Sequence, residues 1–375
     1  MRTEGDNARV IAGRYRLEAL LGRGGMGVVW RATDTLLGRG VAVKELPLDE
    51  TLPADDARRW RDRTLREARA VAQLSHPHII VVHDVVEHDE RPYLVMELID
   101  GGSLAERIGE HGPVDPAEAA RIGIALLGAL RTAHAAGVLH RDLKPANVLV
   151  EDGTDRVVLT DFGIARVEGA TTLTETGSFV GSPEYTAPER IAGARTGPES
   201  DLWSLGALLC TALSGESPFR RDSLGGILHA VVSGEIRPPA EAGPILPVVQ
   251  GLLERDPGRR LDAGDAERML RDFLDTGRTP GGFGAGERHG YSQRSVLVSA
   301  FLVAAMAGAG VSAAALLMDR DGDGNGGVVP TSSAPQTASG GRDTPRTPST
   351  STYSSVSPSP SLSGGTTARS PSAGG

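Results

Sequence analysis

Eight consecutive residues, His140-Arg141-Asp142-Leu143-Lys144-Pro145-Ala146-Asn147, constrain this chain more than any other feature. They place a carboxylate, two cations and a carboxamide between two apolar runs, Gly137-Val138-Leu139 and Val148-Leu149-Val150. Such a pattern predicts a polar loop hung between two short strands, with its charged groups converging on one spot. A second carboxylate follows in Asp161-Phe162-Gly163, again directly after an apolar run, Val157-Val158-Leu159. Upstream, Leu21-Gly22-Arg23-Gly24-Gly25-Met26-Gly27-Val28-Val29-Trp30 carries Gly-x-Gly-x-x-Gly-x-Val. Glycines let a hairpin turn approach phosphates closely and present backbone N–H groups to them. Dinucleotide-binding turns use similar glycines before a helix. Here strand-like residues follow instead, which favours a glycine-rich lid between two strands.

Composition limits what else the chain does. A formal net charge of -9 argues against nucleic-acid binding, which favours a basic surface. The single cysteine, Cys210, excludes an intrachain disulfide framework and a multi-cysteine zinc site. It lies in an apolar run and reads as a buried thiol. His76-Pro77-His78 has no third ligand at a suitable spacing and reads as a helix-ending turn. Met1 to Asn7 is polar with no apolar stretch behind it, so no cleavable signal peptide is expected.

Taken together, the loop at 140–147, the Asp161-Phe162-Gly163 triplet, the glycine-rich turn and Ala187-Pro188-Glu189 resemble the protein kinases, and Asp142-Leu143-Lys144-Pro145-Ala146-Asn147 resembles their Ser/Thr branch. The resemblance covers about three-quarters of the chain, from residue 12 to 275, after an N-terminal tail at 1–11. It implies an α+β, bilobal fold with a small β-rich N-lobe and a larger helical C-lobe. Roles then transfer position by position. Leu21, Gly22, Gly24, Gly27 and Val29 would cover the nucleotide. Ala42 would lie against the adenine, and Lys44 would reach the α- and β-phosphates. Glu67, in a helix expected over residues 58–74, is assigned as the partner of Lys44. Met96 would guard the pocket behind the adenine, main-chain groups of Glu97 and Leu98 would bond its edge, and Leu149 would form its floor. Asp142 would accept the substrate hydroxyl proton, and Lys144 would steady the transferring phosphoryl group. Asn147 and Asp161 would hold magnesium, with manganese as an alternative ion, and ATP would be the donor. Thr186 is matched to the hydroxyl residue that contacts the catalytic aspartate and lysine. Asp201 would brace the catalytic loop, and Arg260 would pair with Glu189.

Between Asp161 and Ala187 lies a run of hydroxyl residues, among which Thr174 and Thr176 are the expected autophosphorylation sites. Phosphorylation adds nearly two negative charges, and Arg141 is suited to receive them. Beyond the kinase-like region, residues 276–294 read as a juxtamembrane linker. Residues 295–318 contain no charged side chain and are long enough to cross a bilayer. Arginines precede this run and aspartates follow it, which predicts a cytoplasmic kinase domain. Ala300, Ala304, Gly308 and Ser312 form a small-residue stripe that would let two such helices approach. Residues 319–375, rich in Ser, Thr, Pro and Gly, are expected to form an extracytoplasmic disordered tail.

The implied protein is a bacterial, eukaryotic-like, single-span Ser/Thr kinase of the plasma membrane. Its partners would be protein substrates bearing Ser or Thr and a second copy, met through the kinase domain or the transmembrane helix. The alternative is a membrane-anchored pseudokinase scaffold, against which the full set Lys44, Glu67, Asp142, Asn147 and Asp161 argues.

Overall fold

The computed structural model describes residues 9–24, 27–47, 53–164 and 181–280. The turn at 25–26, the segment 165–180 with Thr174 and Thr176, and everything beyond 280 lie outside the described residues. The apolar run at 295–318 is among the latter. Within the described residues, no helix is long and apolar enough to cross a membrane.

The N-terminal part is a six-stranded antiparallel sheet with one helix packed on it. Its strands are β1 (Val10–Ile11), β2 (Tyr15–Gly24), β3 (Gly27–Asp34), β4 (Arg39–Glu45), β5 (Val82–His88) and β6 (Arg91–Met96), in the order β1-β2-β3-β4-β6-β5. Register follows the apolar alternation. Lys44 on β4 stands opposite Val29 on β3 and Leu94 on β6, and Ala42 stands opposite Met96. Gly27 has a φ of 115°, and a Cβ there would lie 2.0 Å from the Glu45 carbonyl oxygen, so only glycine lets the lid return so close to β4. Helix α1 (Ala54–Ala72) buries Thr64, Ala68 and Val71 and leaves its arginine-rich side in solvent.

The C-terminal part is helical. A three-stranded sheet, β7 (Gly101–Ser103), β8 (Val148–Glu151) and β9 (Val157–Leu159), lies beside helices α2 (Leu104–His111) and α3 (Pro116–Ala135). Helix α2 starts at a reciprocal cap between Ser103 and Glu106, and α3 starts at Asp115 with Pro116 in its first turn. These are sequence signals of helix N-termini, since they satisfy amides that have no intrahelical partner. After the short α4 (Pro188–Ile191) comes α5 (Pro198–Ser214), buried on all sides from Ser200 to Leu213. Helices α6 (Leu224–Val232), α7 (Leu246–Leu252) and α8 (Ala263–Thr276) complete the shell. Trp203 of α5 stacks on Phe219 with ring centroids 5.2 Å apart at the centre of this core.

One local expectation needs correcting. Residues 137–139 are not a strand, so the loop at 140–147 runs from the end of α3 to β8 rather than between two strands. The Val138 N–H bonds back to the Ala133 carbonyl, and the His140 N–H is taken by the Asp201 side chain, so neither amide is left for a sheet.

Candidate active site

The site is built on a buried carboxylate. Asp201, in the first turn of α5, accepts the main-chain N–H of His140 and that of Arg141, both at 2.9 Å, and the His134 imidazole at 2.8 Å. Burial pushes the Asp201 carboxyl up. The hydrogen bond from His134, with the neighbouring imidazoles and the His140 amide, outweighs that and holds it below the usual carboxylate range. Fixed by these bonds, Arg141 adopts the left-handed backbone, with φ of 64°. Such a conformation persists in a non-glycine residue only where its surroundings impose it.

His140 is fully buried and pinned from both ring nitrogens. Nε2 donates to the Thr160 carbonyl at 2.8 Å, and Nδ1 accepts the Asp142 N–H at 3.3 Å. Burial pushes its pKa down, which favours the neutral ring. Its ring packs on Phe162, with centroids 4.9 Å apart. One imidazole thus ties the loop carrying Asp142 to the segment carrying Asp161.

Asp142 then stands between the side-chain donors of Asn147 and Lys144. Asn147 Nδ2 donates to its carboxylate at 3.0 Å and to its carbonyl at 2.8 Å, and Lys144 Nζ lies 2.8 Å from Oδ2. Lys144 also donates to the Ser182 hydroxyl at 3.1 Å. This corrects the role expected of Thr186, whose hydroxyl instead bonds the Ser182 carbonyl at 3.0 Å. Thr186 ends the single turn Pro183–Tyr185, one turn beyond Ser182, and its hydroxyl folds back along that turn. The contact with Lys144 belongs to Ser182, and the Gly181-Ser182-Pro183 run is the signal that would have found it.

The lysine of β4 departs from expectation too. Lys44 Nζ pairs with Asp161 at 2.7 Å, and the expected Lys44–Glu67 pair is absent. Glu67 pairs with Arg63, one turn earlier on α1, at 2.8 Å. Spacing of i, i+4 makes Arg63 a neighbour of Glu67 wherever the helix sits, so the internal pair competes with the one to the sheet.

Around Lys44 the structure gathers the predicted apolar residues. Ala42 and Met96 belong to a buried cluster against which Val29, Leu98 and Leu149 pack. They come from β3, β4, β6, the segment after β6, and β8. Leu21 is half exposed at the rim, and Gly22 and Gly24 lie on β2 beside it. Asn147 and Asp161 supply hard oxygen donors, the type magnesium prefers when it retains waters and substrate phosphates. Within the described residues no group of three or more His, Cys, Asp or Glu could by itself hold a metal.

Below the site, Arg260 and Glu189 form a bidentate pair at 2.8 and 3.0 Å, with the guanidinium also over the Trp203 ring. Burial pushes the Glu189 carboxyl up, and Arg260 and Ser200 overcome this and hold it below its ordinary range.

The model of the protein kinase domain matches residues 15–270, most of the chain. This chain belongs to the protein kinase family. It is 40% identical over 238 residues to a probable serine/threonine-protein kinase of Corynebacterium efficiens, covering 62% of this chain and 35% of that protein. It is 38% identical over 277 residues to the serine/threonine-protein kinase PkaA of Streptomyces coelicolor, covering 70% of this chain and 50% of the relative. It is 35% identical over 274 residues to the serine/threonine-protein kinase PrkC of Bacillus subtilis, covering 72% and 42%. The chain thus spans between about a third and a half of the length of these curated relatives.

Proposed function

We propose that this kinase-family chain is an ATP- and magnesium-dependent serine/threonine protein kinase. The observation that carries the reading is the contact network of Asp142, Lys144 and Asn147, with a hydroxyl already seated on Lys144. In this reading Asp142 takes the proton of an incoming Ser or Thr hydroxyl as that oxygen bonds the γ-phosphorus. The bond from phosphorus to the bridging oxygen breaks, and ADP leaves. Lys144 and Lys44 offset charge on the phosphoryl oxygens, which is the main demand of a loose transition state. Magnesium, held by Asn147 and Asp161, would supply further charge neutralisation. The printed names of the relatives support the Ser/Thr class of acceptor.

The same proposal includes anchoring in the plasma membrane through residues 295–318, with the kinase domain in the cytoplasm and residues 319–375 outside. The uncharged length of that run and the arginines before it support this. Autophosphorylation at Thr174 and Thr176, and pairing of two copies through the kinase domain or the span, complete it.

The test is transfer of labelled phosphate from ATP by the full-length chain in detergent and in vesicles, followed by phosphoamino-acid analysis. Label on Ser and Thr, lost in Lys44→Met, supports the proposal. Folded protein that binds ATP yet labels neither itself nor generic substrates in either medium contradicts it. Protein recovered outside the membrane fraction would refute the anchor alone.

A further inference from the structure

Arg156 lies in the turn between β8 and β9, a position that the reading of the site did not use. Its guanidinium reaches three segments. Nη2 donates to Glu97 Oε2 at 2.9 Å, Nη1 donates to the Pro77 carbonyl at 3.3 Å, and Nε lies 3.3 Å from Glu151 Oε2. The side chain is largely buried, 28% exposed, and that of Glu97 is 19% exposed.

Glu97 is held from its other side as well. Its Oε1 accepts the Val81 N–H at 2.9 Å, and its own N–H donates to the Val81 carbonyl at 2.9 Å. The residue that follows β6 is therefore closed against residue 81 by two bonds and drawn toward the C-terminal sheet by a third. The turn that carries Arg156 is itself anchored. Asp155 pairs with Arg107 of α2 at 2.9 Å, the Arg156 carbonyl accepts the Glu151 N–H at 3.0 Å, and the Asp152 N–H bonds the Asp100 carbonyl at 2.8 Å. The anchored turn thus grips the Glu97 carboxylate at the start of the connection between the two lobes.

We propose that Arg156 is a positioning residue for nucleotide binding: through the Glu97 carboxylate it fixes the main chain of Glu97 and Leu98 that faces the adenine edge. The proposal rests on the kinase reading of the site. Arg156 touches neither nucleotide nor acceptor in this arrangement. Its removal loosens the connection without altering Asp142, Lys144 or Asn147, so the effect falls on ATP affinity rather than on the chemical step. Arginine serves better than lysine here, because its planar fork reaches both the carboxylate and the Pro77 carbonyl.

The experiment measures ATP KM, kcat and protein-substrate KM for the full chain, alongside the affinity for a fluorescent ADP analogue and the melting temperature. The variants are Arg156→Met, Arg156→Lys, Glu97→Gln and the Met/Gln double. Arg156→Met is expected to raise ATP KM and the ADP dissociation constant about tenfold, the effect of losing one charge-assisted contact. The expected kcat stays within about twofold of wild type, and protein-substrate KM does not move. Arg156→Lys should recover part of the affinity, and the double variant should be no weaker than the weaker single, because both act through one contact. Nucleotide affinity unchanged in folded Arg156→Met overturns the inference. So do additive losses in the double variant, or a fall in kcat matching that in affinity. If Arg156→Met does not fold, a folded Arg156→Lys with wild-type ATP affinity and an unshifted coupling to Glu97→Gln overturns it equally. Wild-type protein that binds no nucleotide refutes the kinase reading itself, a result separate from any of these.

Discussion

Asp201 and Lys44 both hold catalytic-loop or metal-loop groups, yet one has the partners expected of it and the other does not. Asp201 is 2% exposed and accepts two main-chain amides and an imidazole. Lys44 meets Asp161, whose side chain is 25% exposed, while Glu67, 27% exposed, pairs with Arg63 on its own helix. A buried carboxylate that must satisfy several donors has one low-energy arrangement, because any unpaired group would cost its desolvation. A partly exposed pair such as Arg63–Glu67 contributes little and exchanges easily. Residue identity therefore dictates the first arrangement, whereas the second depends on where α1 sits over the sheet.

If that contrast is right, substitutions in the C-terminal brace should have large effects and those around Glu67 small ones. Asp201→Ala removes the acceptor of both loop amides and is expected to abolish transfer, with a fall in melting temperature seen by calorimetry. Glu189→Gln breaks a buried pair and should cost about 3–5 kcal/mol at neutral pH, measured by urea unfolding. The folded Glu189 carboxyl lies below its unfolded value. Its stabilising contribution is therefore complete above the ordinary Glu range and is lost as pH falls through the lower folded value. The stability gap between wild type and Glu189→Gln should accordingly shrink on acidification from about pH 6 to about pH 3. A gap that widens would contradict the sign of that shift.

Smaller effects separate the Ser182 and Thr186 hydroxyls. Ser182→Ala deletes an acceptor for an ammonium group and should lower kcat by about 10- to 100-fold. Thr186→Val deletes a neutral bond to a carbonyl and should lower it only about fivefold. Steady-state kinetics showing the reverse order would restore Thr186 to the role expected of it from sequence. Smallest of all, Arg63→Gln frees one partner of Glu67 and should cost about 0.5 kcal/mol of stability or less. Transfer should rise modestly as one competitor with Lys44 for Glu67 is removed. Lower activity in that variant would mean that Arg63 supports the active arrangement rather than competing with it.

What was legible in the sequence follows the same division. The two-lobed architecture and the gathering of Val29, Ala42, Met96, Leu98 and Leu149 were legible through the resemblance to the protein kinases, and the apolar run after Asn147 marked the loop at 140–147 as leading into β8. The offset between Ser182 and Thr186 was not legible, because both hydroxyls lie one turn apart and only the backbone direction at Pro183–Tyr185 decides which faces Lys144. Nor was the Lys44 partner, since any carboxylate at the right distance satisfies a lysine. Val138 and Leu139 look like strand residues, but α3 and Asp201 use the amides that pairing would need. His134 and Arg156 carry no motif. Their importance comes from partners 67 and 59 positions away, Asp201 and Glu97, which only the fold brings near.

The most direct test of the account replaces Asp142 with Asn in the full chain and measures nucleotide affinity and phosphate transfer on the same preparation. Nucleotide affinity within about twofold of wild type, with transfer reduced about 10²- to 10⁴-fold, is the predicted result for loss of a positioned base. Transfer at the wild-type rate in the folded variant would contradict the assignment of Asp142, and with it the chemistry derived from this loop.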